Sequence, residues 1–109
     1  MAQSFEVIIT STAESDLEAI VEYATDTVSY DFALKLRDEI IAAIEGLEKM
    51  PERHAPLKET YEYVGDYYRR VLAGQHKVIF TIEQSAEIVF VIRIVHIKRS
   101  TEYIKDALS

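Results

Sequence analysis

The chain contains no cysteine, which excludes disulfides, thiolate nucleophiles and cysteine-based metal sites and is compatible with a reducing cytoplasm. Glycine-rich phosphate loops and serine-nucleophile motifs are missing as well. The three histidines, at positions 54, 76 and 96, share no metal-ligand spacing, so neither a metal nor another cofactor is expected. The longest apolar run, Ile88 to Ile92, is far too short to span a bilayer, and no membrane partner is expected. The N-terminus shows no basic segment followed by an apolar run, so no secretory signal is expected either. There is no internal repeat and no low-complexity tract.

What is present fits one soluble domain over residues 1–109, large enough to bury a core without staples. The net charge of -7 hides two halves of opposite sign. Residues 1–66 carry 5 Lys/Arg against 15 Asp/Glu, whereas residues 67–109 carry 7 against 4. The whole would repel nucleic acid at long range, but the field near the second half attracts phosphate or acidic groups. One working face on a solubilising body is the expectation.

Phe5 to Thr10 reads as a short strand. Ser11-Thr12-Ala13-Glu14 fits a capping box, and the helix that follows lines up Ala13, Leu17, Ile20, Val21, Ala24 and Val28 as an apolar stripe. Asp16, Glu18, Glu22 and Asp26 fall on its other side, as a solvated face. Ser29 and Asp31 are cap candidates for a second helix reaching about Lys49, with Phe32, Leu36, Ile40, Ile44 and Leu47 on one stripe; Met50-Pro51 stops it. The two helices should form an antiparallel hairpin that covers one face of a sheet. Residues 51–66 form a long irregular connection.

From Tyr67 the hydrophobic period switches to two, giving strands over 67–73, 76–83 and 87–97. Gly74-Gln75 reads as a type II′ turn, pairing Ala73 with His76, Val71 with Val78 and Arg69 with Phe80. A three-residue loop at 84–86 would then set Ile82 opposite Ile88 and Phe80 opposite Phe90. The apolar face would be Val78, Phe80, Ile82, Ile88, Phe90, Ile92 and Ile94. The opposite face would hold Tyr68, Arg70, Lys77 and Arg93, with Lys77 across from Arg93. A two-residue loop would flip the last strand. Ser100 or Thr101 would cap a short final helix. The expected class is α+β: an N-terminal strand, a helical hairpin packed on an antiparallel meander, and a short C-terminal helix.

Candidate chemistry concentrates in the second half. Arg69, Arg70, Lys77, Arg93, Lys98 and Arg99, interleaved with Tyr67, Tyr68 and Tyr103, suit phosphate contacts and base stacking. The same cluster equally suits a solvated sheet face or a socket for an acidic protein. His96 is the best general acid or base by its titration range, but by strand parity it sits with Ile92 and Ile94 at the core rim, where a structural role is the more natural reading. Reaching the basic face would require a bulge or strong twist near Val95. Tyr103 reads either as a stacking or proton-transfer group, or as the aromatic that packs the last helix on the sheet.

The order of elements, with Ala13 to Tyr23 similar to a D-L-x-x-I-x-x-Y pattern, resembles the RelE/ParE superfamily of toxins from type II toxin–antitoxin modules. Ala33, the Leu47–Pro51 helix exit, Tyr68-Arg69-Arg70, His76 to Phe80 and the run from Phe90 to Tyr103 carry the same likeness. The resemblance implies a small cytoplasmic toxin that inhibits growth and is neutralised by a cognate antitoxin. It implies one of two activities: metal-independent cleavage of mRNA on the ribosome, placed first here, or non-enzymatic poisoning of DNA gyrase. An inactive homologue that only binds antitoxin is the third possibility. Carried over from the nucleases, Lys77 stands where an Arg holds the phosphate, His96 at an acid/base position, and Tyr103 at a catalytic tyrosine. Arg69 or Arg70 stands at an upstream basic position, and Arg93 and Arg99 complete the phosphate-binding set. Ile97 departs from that pattern, since it occupies the place of a catalytic Arg or a terminal aromatic.

Overall fold

The computed structural model describes residues 4–57, 67–99 and 101–108. Strand β1 (Glu6–Ile9) leads into helices α1 (Ser11–Thr27) and α2 (Tyr30–Glu45), followed by 3-10 turns at Gly46–Glu48 and Pro51–Arg53. Strands β2 (Arg69–Ala73), β3 (His76–Glu83) and β4 (Ile88–His96) come next, and helix α3 (Thr101–Leu108) closes the chain. This is the expected α+β arrangement with one correction: the sheet is mixed. Its order is β1-β4-β3-β2, and β1 runs parallel to β4 while the other pairs are antiparallel. Parallel neighbours need a long crossover, and the helical hairpin together with β2 and β3 supplies it.

Local signals set the helix starts to within a residue. Thr10, one residue before the expected cap, is the N-cap of α1, its Oγ1 accepting the Ala13 N–H at 3.2 Å. The same hydroxyl donates to Val91 O at 2.8 Å, so one side chain both starts the helix and ties it to β4. Ser29 caps α2 by accepting the Phe32 N–H at 3.0 Å. The α-helix ends at Glu45, short of the expected Lys49, because the chain tightens into a 3-10 turn from which Leu47, the last of the expected stripe, is buried. Met50, before Pro51, takes a left-handed φ of 50°. Ser100 lies outside the described residues.

The β2–β3 register is the expected one, with Ala73 opposite His76 and Arg69 opposite Phe80. Gly74 has φ +58°, as the first turn residue must, and a Cβ there would also run into the Glu39 carboxylate of α2. The β3–β4 register differs from the expectation. Its loop spans four residues, 84–87, with Glu87 at φ 56°, so Ile82 faces Val89 and Phe80 faces Val91. A bulge then leaves Ile92 as the extra residue, because Phe80 pairs with Val91 while Ile79 pairs with Arg93. The inward residues of β4 are therefore Val89, Val91 and Ile94, all buried, rather than Ile88, Phe90 and Ile92. Lys77 faces Val95, not Arg93; even so, Arg70, Lys77 and Arg93 still share the sheet face turned away from the hairpin.

Each face of the sheet has its own core. Towards the hairpin, Phe5, Ala13, Leu17, Ile40, Ile44, Leu47, Val78 and Phe80 pack with the inward residues of β4. On the other face Leu57, Ile79, Val95 and Ile104 form a smaller cluster that seats α3. The 17-residue helix α1 is about 25 Å long, and the buried residues of both helices lie mainly towards the open end of the hairpin. At its tip Val28 is 63% and Phe32 46% exposed although both belong to the apolar stripes, because the hairpin overhangs the end of the sheet. Among the described residues no helix is long and apolar enough to cross a membrane.

Candidate functional site

The overhang makes a groove of about 900 Å³. Its roof is the hairpin tip (Tyr23, Ala24, Thr27, Val28, Phe32 and Leu36), and its floor is the sheet end at Gln75, His76 and Ile94 to His96. Lys98, Arg99 and Tyr103 form the rim. The groove is thus an apolar cleft with cations at its mouth. Of the residues singled out from sequence it brings together His96, Lys98, Arg99 and Tyr103, with the Arg99 guanidinium 4.6 Å above the Tyr103 ring.

The remaining candidates lie elsewhere. Lys77 and Arg70 are on the opposite face of the sheet. Arg69 reaches back to the irregular connection, donating from Nη1 to the carbonyls of His54 at 2.7 Å and Glu52 at 3.2 Å. Arg93 is engaged by Asp16: Nε meets Oδ2 at 2.8 Å and Nη2 meets Oδ1 at 2.9 Å, a two-pronged pair that holds the guanidinium pKa above its ordinary value. Asp16 Oδ2 also accepts the Ile94 N–H at 2.9 Å, and Arg93 Nη1 donates to Ala107 O at 3.4 Å. This ion pair therefore ties α1, the edge of β4 past the end of β1, and α3 together.

Asp16 is the residue that sequence reasoning misread, as one carboxylate of a solvated helix face. Its side chain is only 16% exposed. A hint existed in its position, three residues after Ala13 and directly before Leu17, at the border of the buried stripe. The bulge at Ile92 does not move His96 to the basic face; it stays on the hairpin side with Ile94.

His96 pairs across the strands with His76, their rings edge to face with centroids 5.2 Å apart. His96 Nδ1 accepts the Lys98 N–H at 3.0 Å, which places the proton of the neutral ring on Nε2. His76 is 8% exposed, and its buried Nδ1 has no hydrogen-bond partner among the described residues. Burial, and then the neighbouring His96, lower the His76 pKa below its ordinary value; burial and the nearby Arg53, Arg70 and Arg69 do the same to His54. A base whose folded pKa is depressed stabilises the fold fully above its unfolded pKa of about 6.5 and loses that contribution as pH falls towards the folded value. Stability should therefore decline as pH falls through and below the unfolded value of about 6.5. Urea midpoints of the wild type and His76→Phe test this. The variant should show the smaller decline, and equal declines would rule out the buried His76 as a source.

Among the described residues no group of three or more His, Asp or Glu side chains gathers as a metal site. The groove presents an apolar cleft, aromatic walls and two cations.

Fold and groove together define a small α+β domain with a recognition cleft at one end of its sheet. A chain of the chromosomal ParDE toxin–antitoxin system from P. aeruginosa is similar in structure, with TM-score 0.71 and 18% identity over 86% of this chain and 97% of that one. A chain of the RelBE2 toxin–antitoxin complex from Mycobacterium tuberculosis is also similar, with TM-score 0.63 and 17% identity over 85% and 98%. No curated protein matches by sequence. The family model of the ParE toxin of the type II toxin–antitoxin system parDE matches residues 7–101, and the chain belongs to that family.

Proposed function

We propose that this toxin arrests growth by binding DNA gyrase, without cutting RNA. The observation that supports this most is the division of the candidate catalytic groups between the two faces of the sheet. Metal-independent RNA cleavage needs a base, an acid and cations around one phosphate. His96 shares the groove with Arg99 and Tyr103, but Lys77 and Arg70 face the other way, and Arg93 is held by Asp16. The His96 nitrogen that carries a lone pair in the neutral ring already accepts the Lys98 N–H, which competes with its taking a proton from substrate.

The partner that keeps such a toxin silent is its cognate antitoxin, acting with it in the cytoplasm. An amphipathic segment with apolar anchors for the cleft and acidic residues for Lys98 and Arg99 complements the groove. Folding on binding would let a short disordered tail cover it.

Purified toxin should inhibit gyrase supercoiling and trap cleaved DNA, while mRNA on programmed ribosomes stays intact and His96→Ala keeps its toxicity. Unimpaired gyrase at excess toxin, or mRNA cuts that vanish in His96→Ala, would overturn the proposal. Absence of growth arrest on induced expression would mark an inactive homologue that only binds antitoxin.

A further inference from the structure

The outer edge of β1 lies apart from the groove. The N–H of Glu6 donates to Glu87 O at 2.9 Å and that of Thr10 to Val91 O at 3.1 Å, so the even-numbered backbone groups of this segment face β4. Strand alternation then turns the N–H and C=O of Val7 and Ile9 outward. Phe5 N also points outward, but Glu48 O takes it at 2.8 Å. Past Phe5 no strand lies on that side among the described residues, and β1 is the last strand of the sheet.

Beside these open rungs lies a pocket of about 420 Å³ with apolar walls from Phe5, Val7, Ile9 and Ile44. Glu6, Glu45 and Glu48 complete its lining, all three on the exposed surface. Glu48 Oε1 accepts the Ser4 hydroxyl at 3.2 Å. The flanking cation is Lys49, whose backbone bridges to Ser4. Three carboxylates against one ammonium leave the rim acidic.

We propose that the β1 edge takes up an extended, Lys- or Arg-bearing segment of a partner protein as a fifth strand. Val7 and Ile9 supply the main-chain rungs, the pocket holds an aliphatic side chain of the segment, and its cations lie over Glu6, Glu45 and Glu48. Charge complementarity selects this occupant over a second copy of the chain. Symmetric pairing of two β1 strands would set each acidic rim against the other, at a repulsive cost. The site stands apart from the antitoxin groove, so it holds or fails independently of the gyrase reading.

The test uses the full chain, isotope-labelled, and two capped hexapeptides of alternating residues: Lys-Val and, as control, Glu-Val. The basic peptide should shift the Val7 and Ile9 amide signals and slow their exchange, and its affinity should fall about tenfold from low to physiological salt. The acidic peptide should do neither. Val7→Pro removes an outward N–H at a position where an edge strand tolerates proline, and should abolish binding. In case that variant folds poorly, the exposed pair Glu45→Lys with Glu48→Lys gives a second arm and should weaken binding at least tenfold. Unchanged Val7 and Ile9 amides, binding unaffected by the charge reversal, or protection of both amides in a dimer formed without peptide would each overturn the proposal.

Discussion

Replacing Asp16 with alanine is expected to cost about 3 kcal/mol of folding stability, far more than an acidic residue on a helix surface normally would. The carboxylate makes both prongs of the Arg93 pair and accepts the Ile94 N–H. Its loss would strand a guanidinium whose side chain is 19% exposed, together with a backbone donor at the edge of β4. Complete burial would make the penalty larger; the remaining access to water keeps it near the lower end of the range for broken buried pairs. Asp16→Asn keeps an acceptor for one donor and should cost less. Replacing both partners with apolar residues, Asp16→Leu with Arg93→Met, should cost less than Asp16→Ala alone, because no charge is left uncompensated. Urea unfolding of the four proteins checks the order. A loss below about 1 kcal/mol for Asp16→Ala would mean that the pair is a surface contact without structural weight. Because Asp16 also lines the groove, the same variant should loosen the seat of α1 over the sheet end.

Phe80→Ala should cost about 4 kcal/mol, by loss of apolar burial and by the cavity left behind. Phe80 is fully buried in the core between sheet and hairpin and lies opposite Arg69 on one side and Val91 on the other. The edge of the His54 ring packs against it at 6.0 Å, linking the irregular connection to the same core. No neighbour can easily close the void, because the bulge at Ile92 and the Arg69 bonds to the His54 and Glu52 carbonyls hold the strands on both sides. Phe80→Leu should recover more than half of the loss, since it removes far less volume. Thermal and urea unfolding provide the measurement. A cost under about 2 kcal/mol would show that the two strands collapse around the vacancy.

Both predictions rest on contacts between residues far apart in the chain, and that distinction separates what the sequence reveals from what it conceals. The helical stripes, the Ser29 cap and the Gly74 turn all arise from interactions within a few residues, so spacing and residue type disclose them. The family likeness was legible for a related reason, since its motifs are runs within single elements. The β3–β4 register was not, because odd and even residues of β4 are both apolar and either set satisfies the alternation. The packing under the hairpin chose Val89 and Val91, and the bulge at Ile92 brought Ile94 back inward.

The candidate site divides in the same way. Charge counting by halves located the basic segment, and strand parity correctly grouped Arg70, Lys77 and Arg93 on one face, with His96 on the other. Sequence could not disclose that Asp16, 77 positions away, would engage Arg93, or that the overhanging hairpin tip would roof His96, Arg99 and Tyr103 into a cleft. By itself the chain therefore determined its elements, its hairpins and its division into an acidic body and a basic segment, because those follow from neighbours in the chain. The tertiary structure alone decided which cations stay at the groove and which are bound within the fold, because that depends on which distant surfaces the packed sheet brings within hydrogen-bonding reach.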